Sequence, residues 1–237
     1  IVKELGQGDK NIITNLWRSI NQSYFGRFTS SQLAWQAKSI LSVKGDADVI
    51  SLRQNFDSLI EIFIKVKNVE GLFLKLVQVF DSLGVEIIDA DIATTKDKKI
   101  ALNTFIASYK YKSMKLTQRD IKDLTTKIHA IFDGSKEIKV MNYSENKNSH
   151  FKNPTKISDS IDQQNIRNIV TIETINCSGL LVKIAEIYKN HGASIHSAKI
   201  TTLGEKVEDT FFIEDQETNL ISKTKMQRIK KALVEII

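Results

Sequence analysis

The chain has a single cysteine, Cys177, and a single proline among its 237 residues. One thiol excludes an internal disulfide and any multi-cysteine zinc site, and it makes a reducing cytoplasm the simplest compartment. The four histidines lie scattered, with no metal-ligand spacing. No apolar run approaches the ~18–20 residues needed to cross a bilayer, and the opening IVKELGQGDK lacks the apolar stretch of a signal peptide, so the chain reads as soluble. Charge of one sign does not dominate either, since 34 Lys and Arg stand against 28 Asp and Glu. The net +6 would suit an acidic partner, but the charges are interspersed as on a solvated surface. Also missing are a Met at position 1 and an end to the apolar pattern before Ile237. The expectation is a piece of a longer protein.

What is present is ordinary globular material, 41% apolar and 26% charged, which excludes general disorder and a coiled-coil rod. A chain of 237 residues exceeds the usual ~100–150-residue domain, so two or three units are expected. Residues 1–45 lack strand alternation, and INQSYFGRFTSSQLAWQAKSIL reads as two helices separated at Gly26. Thr29 and Gln32 have capping-box spacing, followed by Leu33, Ala37 and Leu41 on one helical stripe. So few apolar positions cannot close a core alone, and this part is read as a helical segment.

From Leu59 the period changes. Ile60, Ile62, Ile64 and Val66 alternate with Glu61, Phe63 and Lys65, the pattern of a strand with one strongly apolar face. Asn68 to Gly71 form a turn, Leu72, Leu76, Val79, Phe80 and Leu83 make a helix stripe, and Gly84 stops it. Residues 86–95 and 101–110 read as strands joined by a polar hairpin, a helix follows from Thr117, and Ile138 and Val140 mark a short last strand. The order is βαββαβ over residues 58–142. Residues 143–165 hold the proline and few apolar residues, a linker by composition.

The same order then restarts over residues 166–237. A shift of 108 aligns Asn68 with Asn176, Gly71 with Gly179, Leu72 with Leu180, Gly84 with Gly192 and Ile92 with Ile200, among nine identities in 27 positions without a gap. An internal repeat is the reading that this requires. The third strands match at a shift of 106, so the hairpins differ by two residues. Met226, Ile229, Leu233 and Ile236 make the last helix, and no fourth strand follows in the second copy. Either that copy is truncated or its sheet edge is completed differently.

The repeated element is strand, Asn-x-x-Gly-Leu, helix, Gly, strand. Gly71 and Gly179 stand where the chain leaves a strand and opens a helix, so exposed N–H groups gather at the positive helix end, a place that attracts a carboxylate or phosphate. Asn68 and Asn176 beside them add an acceptor or donor for an amino group, giving a polar site of amino-acid size. The plainer alternative is that Asn caps the helix and Gly merely permits the turn. Asp89-Ala90-Asp91 superficially matches a two-metal carboxylate pair, but no Gly-Ser helix start precedes it, and a solvent-facing strand edge is expected there.

The βαββαβ repeat with its turn glycine resembles a pair of ACT domains, the small-molecule sensors attached to metabolic enzymes. YFGRFTSSQLAWQA, DADIATTKDKKIALNTFI and SIHSAKITTLGEKVEDTFFI together resemble the C-terminal part of the family of bifunctional PII uridylyltransferases/uridylyl-removing enzymes, from about Leu16 to Ile237. The resemblance implies an α+β fold, tandem ferredoxin-like βαββαβ (ACT) domains preceded by a short helical segment resembling the end of a phosphohydrolase (HD) domain. It implies a glutamine-sensing region, with the PII protein and the enzyme's own catalytic domains as partners and no membrane. UTP and Mg or another divalent metal are implied for the parent enzyme only. In this chain no cofactor, metal ligand or catalytic residue is expected, because none of the histidines is followed by Asp as an HD site requires. The ligand-binding residues implied are Asn68, Gly71, Leu72, Asn176, Gly179 and Leu180, with Glu86 and Ser194 at the family position that often reaches the ligand, and His196.

Departures from the ACT pattern are the Asn at 68 and 176 in place of an acidic residue, and Glu70 or Ser178 in place of a Pro. Without the charge the pull on an ammonium group is weaker, so binding is either shared with the partner ACT surface or of modest affinity. The parity of side chains changes between Ile195 and Ala198, which points to a bulge. Two other readings stand beside this one: an ACT pair of another metabolic enzyme, and an RRM-like RNA binder. The second suffers from TFIASYK and TFFIED, which contain none of the basic-Gly-aromatic signature of an RNA-stacking strand.

Overall fold

In the computed structural model the described residues are 7–45, 47–54, 59–109, 117–132, 155–163, 166–177, 179–215, 217 and 219–236. The chain opens with α1 (Gln7–Arg18), a 3₁₀ helix (Gln22–Arg27) and α2 (Ser30–Leu41). Gly26 therefore lies inside the 3₁₀ helix, and the break before α2 falls at Phe28 and Thr29, both extended. The capping box forms there: Thr29 Oγ1 accepts from the Gln32 N–H at 3.2 Å, and Gln32 Oε1 accepts from the Thr29 N–H at 2.9 Å. Thr29→Ala should lower stability by about 1 kcal/mol, read in a thermal melt. An unchanged midpoint would mean that packing alone holds α2.

The remaining elements are β1 (Val49–Gln54), β2 (Ile60–Lys67), α3 (Leu72–Ser82), β3 (Val85–Thr94), β4 (Ile100–Tyr109), α4 (Gln118–Phe132), β5 (Lys156–Asp162), β6 (Arg167–Ile175), α5 (Leu180–Asn190), β7 (Ala193–Leu203), β8 (Lys206–Asp215) and α6 (Lys223–Ile236). All eight strands form one antiparallel sheet in the order β1-β2-β4-β3-β7-β8-β6-β5. The two copies of the repeat thus lie side by side and join through β3 and β7, where Asp89 pairs with Thr201, Ala90 with Ile200 and Asp91 with Lys199. The bulge expected in β7 is present as a register shift between Ile195 and Ser197, and β3 has its counterpart between Ile87 and Asp89. Among the described residues no helix is long and apolar enough to cross a membrane.

The second copy does not lack an edge strand. β5, drawn from the segment read as a linker, pairs with β6 along its whole length, and β1 pairs in the same way with β2 in the first copy. The sequence pattern missed β5 because most of its side chains are exposed, so no apolar alternation is required of it. The strand expected at Ile138 and Val140, and residues 143–154 of the expected linker, lie outside the described residues.

Helices α3 to α6 cover one face of the sheet, and the core between them includes Leu76, Phe80, Phe105, Ile128, Val170, Tyr188, Phe211 and Ile229. Across the seam α3 packs on α5. The opposite face of the first copy is covered by the N-terminal helices, whose Ile13, Ile20, Tyr24, Ala37 and Ile40 share a second core with Val49, Phe63 and Leu102 of the sheet. β2 is consequently buried on both faces, where a one-faced strand was expected. Its buried charges have partners: Glu61 meets Arg53 and accepts from Gln32 Nε2 at 3.3 Å, and Lys65 Nζ donates to the Ala47 carbonyl at 3.4 Å. Each large apolar side chain buried contributes ~1.5–3 kcal/mol, so a segment with so few of them is held by borrowing the sheet's surface.

Candidate ligand clefts between the two copies

The Asn-x-x-Gly-Leu turns end up on the seam, one on each side of it. Gly71 and Gly179 take up positive φ, 70° and 73°, as the residues that open α3 and α5. A side chain with a Cβ is strained in that conformation, which is why glycine recurs there. Among the described residues neither helix start has a side-chain cap. The asparagines are occupied elsewhere: Asn68 Nδ2 donates to the Lys98 carbonyl at 2.9 Å, and Asn176 Nδ2 donates to Glu86 Oε1 at 3.3 Å. Helix capping by Asn, the plainer alternative, is therefore not what the residue does in either copy.

Each turn roofs a cleft completed by the other copy. The first cleft, about 360 Å³, is lined by Asn68, Gly71, Leu72, Thr94 and Asn103 of the first copy and by Tyr188, Lys189, Ser194, His196 and Glu214 of the second. The second, about 220 Å³, is lined by Asn176, Gly179, Leu180, Thr202 and Asp209 of the second copy and by Val77, Asp81, Glu86 and Ile87 of the first. Residues that align in the repeat occupy corresponding places, so the clefts are related by an approximate two-fold axis through the seam. The nine ligand-binding residues expected from the sequence are thus split: Ser194 and His196 join the turn of the first copy, and Glu86 joins that of the second.

The first cleft carries charges of both signs. Lys189 lies over Gly71, close enough that a Cβ at that glycine would stand 3.4 Å from its Cδ. Lys98 of the β3–β4 hairpin reaches across the seam to Glu214 at 2.9 Å, and Arg167 also bonds Glu214. Burial works to raise the Glu214 carboxyl, but the hydrogen bonds from Lys98 and Arg167 outweigh it and hold the group below its ordinary value. His196 Nδ1 stands 3.8 Å from Glu214 Oε1. Burial and then the Arg167 charge push the imidazole down to about 4 against the pull of Glu214, so at neutral pH it is an uncharged ring.

Two further residues in these clefts carry chemistry that the sequence pattern did not single out. Asn103 and Asp209 occupy equivalent positions on β4 and β8, and both are almost fully buried, at 1% and 0% exposure. Asn103 Nδ2 donates to the Ile64 carbonyl at 3.4 Å and Asp209 Oδ1 accepts from the Thr201 N–H at 3.2 Å, but among the described residues Asn103 Oδ1 and Asp209 Oδ2 have no partner. Strand parity is the signal that would have found them: each is the polar member of an inward-facing set, with Ala101 and Phe105 in one copy and Val207 and Phe211 in the other.

Asp89 and Asp91 are not at a free edge. β3 is interior to the sheet, and Arg27 of the N-terminal segment binds Asp91 Oδ1 at 2.8 Å and Ser197 Oγ at 2.9 Å, tying both copies together. Burial raises the Asp91 carboxyl and the Arg27 charge opposes it. Phe105 and Phe211, the aromatics an RNA-stacking sheet would have to expose, are both at 0% exposure.

Comparison with known proteins agrees with this architecture. Residues 51–133 match the family model of the plant bHLH transcription factor ACT-like domain. The chain is 26% identical over 235 residues to a bifunctional uridylyltransferase/uridylyl-removing enzyme of Psychrobacter sp. strain PRwf-1, covering 94% of the chain and 26% of that protein. The enzymes of the same name from Methylococcus capsulatus (26% identity, 96% of the chain, 26% of the relative) and Acinetobacter baylyi (28%, 86% and 24%) align similarly. Along most of its length the chain is similar to part of the bifunctional uridylyltransferase/uridylyl-removing enzymes. It spans about a quarter of the length of these relatives. The expected tandem βαββαβ (ACT-type) units are present, with each copy's edge strand supplied from the segment before it, and the expected likeness to these enzymes is what the comparisons find.

Proposed function

We propose that this chain is the regulatory, glutamine-sensing region of a cytoplasmic enzyme that attaches UMP to the PII nitrogen-signalling protein and removes it. UTP and a divalent metal act at that enzyme's catalytic domains, and the ligand-binding role falls to the two seam clefts. The observation that carries this reading is their construction: each joins an uncapped helix start under a positive-φ glycine to a buried, unpartnered polar oxygen contributed by an equivalent strand. Helix-start N–H groups suit a carboxylate, and the buried oxygen suits a donor, the two ends of an amino acid.

Regulation requires that the ligand prefer one arrangement of the copies over another. The clefts lie on the surface along which the copies meet, so a ligand there acts on their relative position. Arg27 bonds that seam from the N-terminal segment, and α2 packs on the sheet of the first copy, which together provide a route from seam to helices. Titrating the 237-residue chain with glutamine in a calorimeter is the test. Saturable heat at micromolar to millimolar ligand is expected, and a folded sample that gives no heat at millimolar glutamine would overturn the reading.

A further inference from the structure

The two clefts share a plan but differ in charge. In the second, the described lining residues include Asp81, Glu86 and Asp209 and no Lys, Arg or His. In the first, the place of Asp81 is taken by Lys189, that of Glu86 by Ser194 and that of Asp209 by the neutral Asn103. A buried carboxylate with an unpartnered oxygen is costly unless something positive meets it, whereas an amide in the same place leaves only a weak acceptor unfilled.

Resting on the amino-acid reading above, we propose that the two clefts are unequal, and that Asp209 makes the second one the stronger ammonium-recognition site while the first, with the neutral Asn103 in that place, holds the group more weakly. Asp209 Oδ2 has no partner among the described residues, so a ligand R–NH₃⁺ donates to it without displacing a bond seen there. Asn176, held by Glu86 at the mouth of the same cleft, orients the turn whose N–H groups face the ligand's other end. The groups around Asp209 reinforce its need for a cation. Tyr188 of α5 has a buried hydroxyl that also lacks a partner among the described residues and whose ionisation burial and the Asp209 charge oppose, Asp81 of α3 and Glu86 of β3 are acidic, and Cys177 lies within the turn. β7 supplies the Thr201 N–H and lines the cleft with Ile200 and Thr202. Burial raises the Asp209 carboxyl to about 7, so binding an ammonium ion near pH 6 is accompanied by release of a proton.

The test uses the 237-residue chain. Calorimetry compares glutamine with glutaramic acid, the same molecule without its amino group, on wild type, Asp209→Asn and Asn103→Asp, each checked for folding by thermal melt. Asp209→Asn is expected to weaken glutamine about 10- to 100-fold, and glutaramic acid to bind wild type that weakly too. Asn103→Asp should add affinity in the first cleft, seen as a second binding event. At pH 6, heats in two buffers of different ionisation enthalpy should report a released proton that the Asn variant does not release. Equal affinity of wild type and Asp209→Asn for glutamine, or of wild type for the two ligands, would overturn the assignment and leave the amino-acid reading intact.

If wild type gives no heat with glutamine, the amino-acid reading fails, and the assignment is decided by the Asp209 carboxyl ¹³C signal of the wild-type chain. A shift with propylammonium but not with 1-propanol supports it, and no shift with either overturns it. The same measurement decides the matter if Asp209→Asn does not fold.

Discussion

Phe211→Ala is expected to cost about 3–5 kcal/mol of stability in urea denaturation. Phe211 has 0% exposure on β8, and its ring packs edge-on against Tyr188 at 5.3 Å within its own copy. It also packs against Phe73 of α3 in the other copy, at 6.3 Å. The removed ring leaves a cavity whose walls belong to both copies, so they cannot collapse into it independently. Phe105→Ala, whose ring packs on Phe80 at 4.9 Å inside the first copy, should cost a similar amount. What separates the two is coupling. A double-mutant cycle between Phe211 and Phe73 should give about 0.5–1.5 kcal/mol beyond additivity. A loss below about 1 kcal/mol for Phe211→Ala, or a cycle that closes at zero, would mean that the copies do not share a core at this point.

Asp209→Asn should stabilise the ligand-free chain, and only at higher pH. The Asp209 carboxyl stands near 7 in the folded chain because burial raises it far more than the Thr201 N–H lowers it, against an ordinary value of 3.8. Between those values the folded chain holds a proton that the unfolded chain has released, so this group lowers stability as pH climbs from about 4 to about 7 and has no further effect above. The gap corresponds to about 4 kcal/mol, present in full at pH 8 and absent at pH 3. An amide escapes this dependence, and Asn103 shows that the same strand position accepts one. Thermal or urea denaturation of both proteins at pH 4, 6 and 8 should give nearly equal stabilities at the lowest pH and a growing advantage for the variant above it. A constant difference across that range would mean that Asp209 is not buried as described. Weaker ligand binding together with greater stability is the signature of a group held for binding at the expense of the fold.

Several of the elements that build the clefts were legible from the residues. Gly71 and Gly179 were readable as turn positions because glycine takes φ near 70° without the strain a Cβ brings, so a glycine repeated at the same point between strand and helix points to a left-handed backbone there. The capping box at Thr29 and the β7 bulge were readable for a similar reason, since side-chain reach and strand parity are local. β5 was not readable, because an exposed edge strand is stabilised by backbone pairing, which leaves no mark on residue type. Nor was the burial of both faces of β2, which depends on helices earlier in the chain choosing that face to cover.

The clefts divide along the same line. Asn68 and Asn176 were singled out for a polar group near a helix start, but their amides are spent on Lys98 and Glu86, partners that lie 30 and 90 residues away. The sequence by itself determined that there are two copies of one α+β unit, where each turn opens its helix, and which enzymes the chain resembles, because these follow from period, backbone conformation and identity along the chain. Only the tertiary structure decided that the copies join β3 to β7 into one sheet, that each turn faces a wall supplied by the other copy, and that Asp209 and Asn103 lie in those walls. The physical reason is that pairing two strand edges and burying two helix faces is a contest among all available surfaces, and its outcome belongs to no single segment.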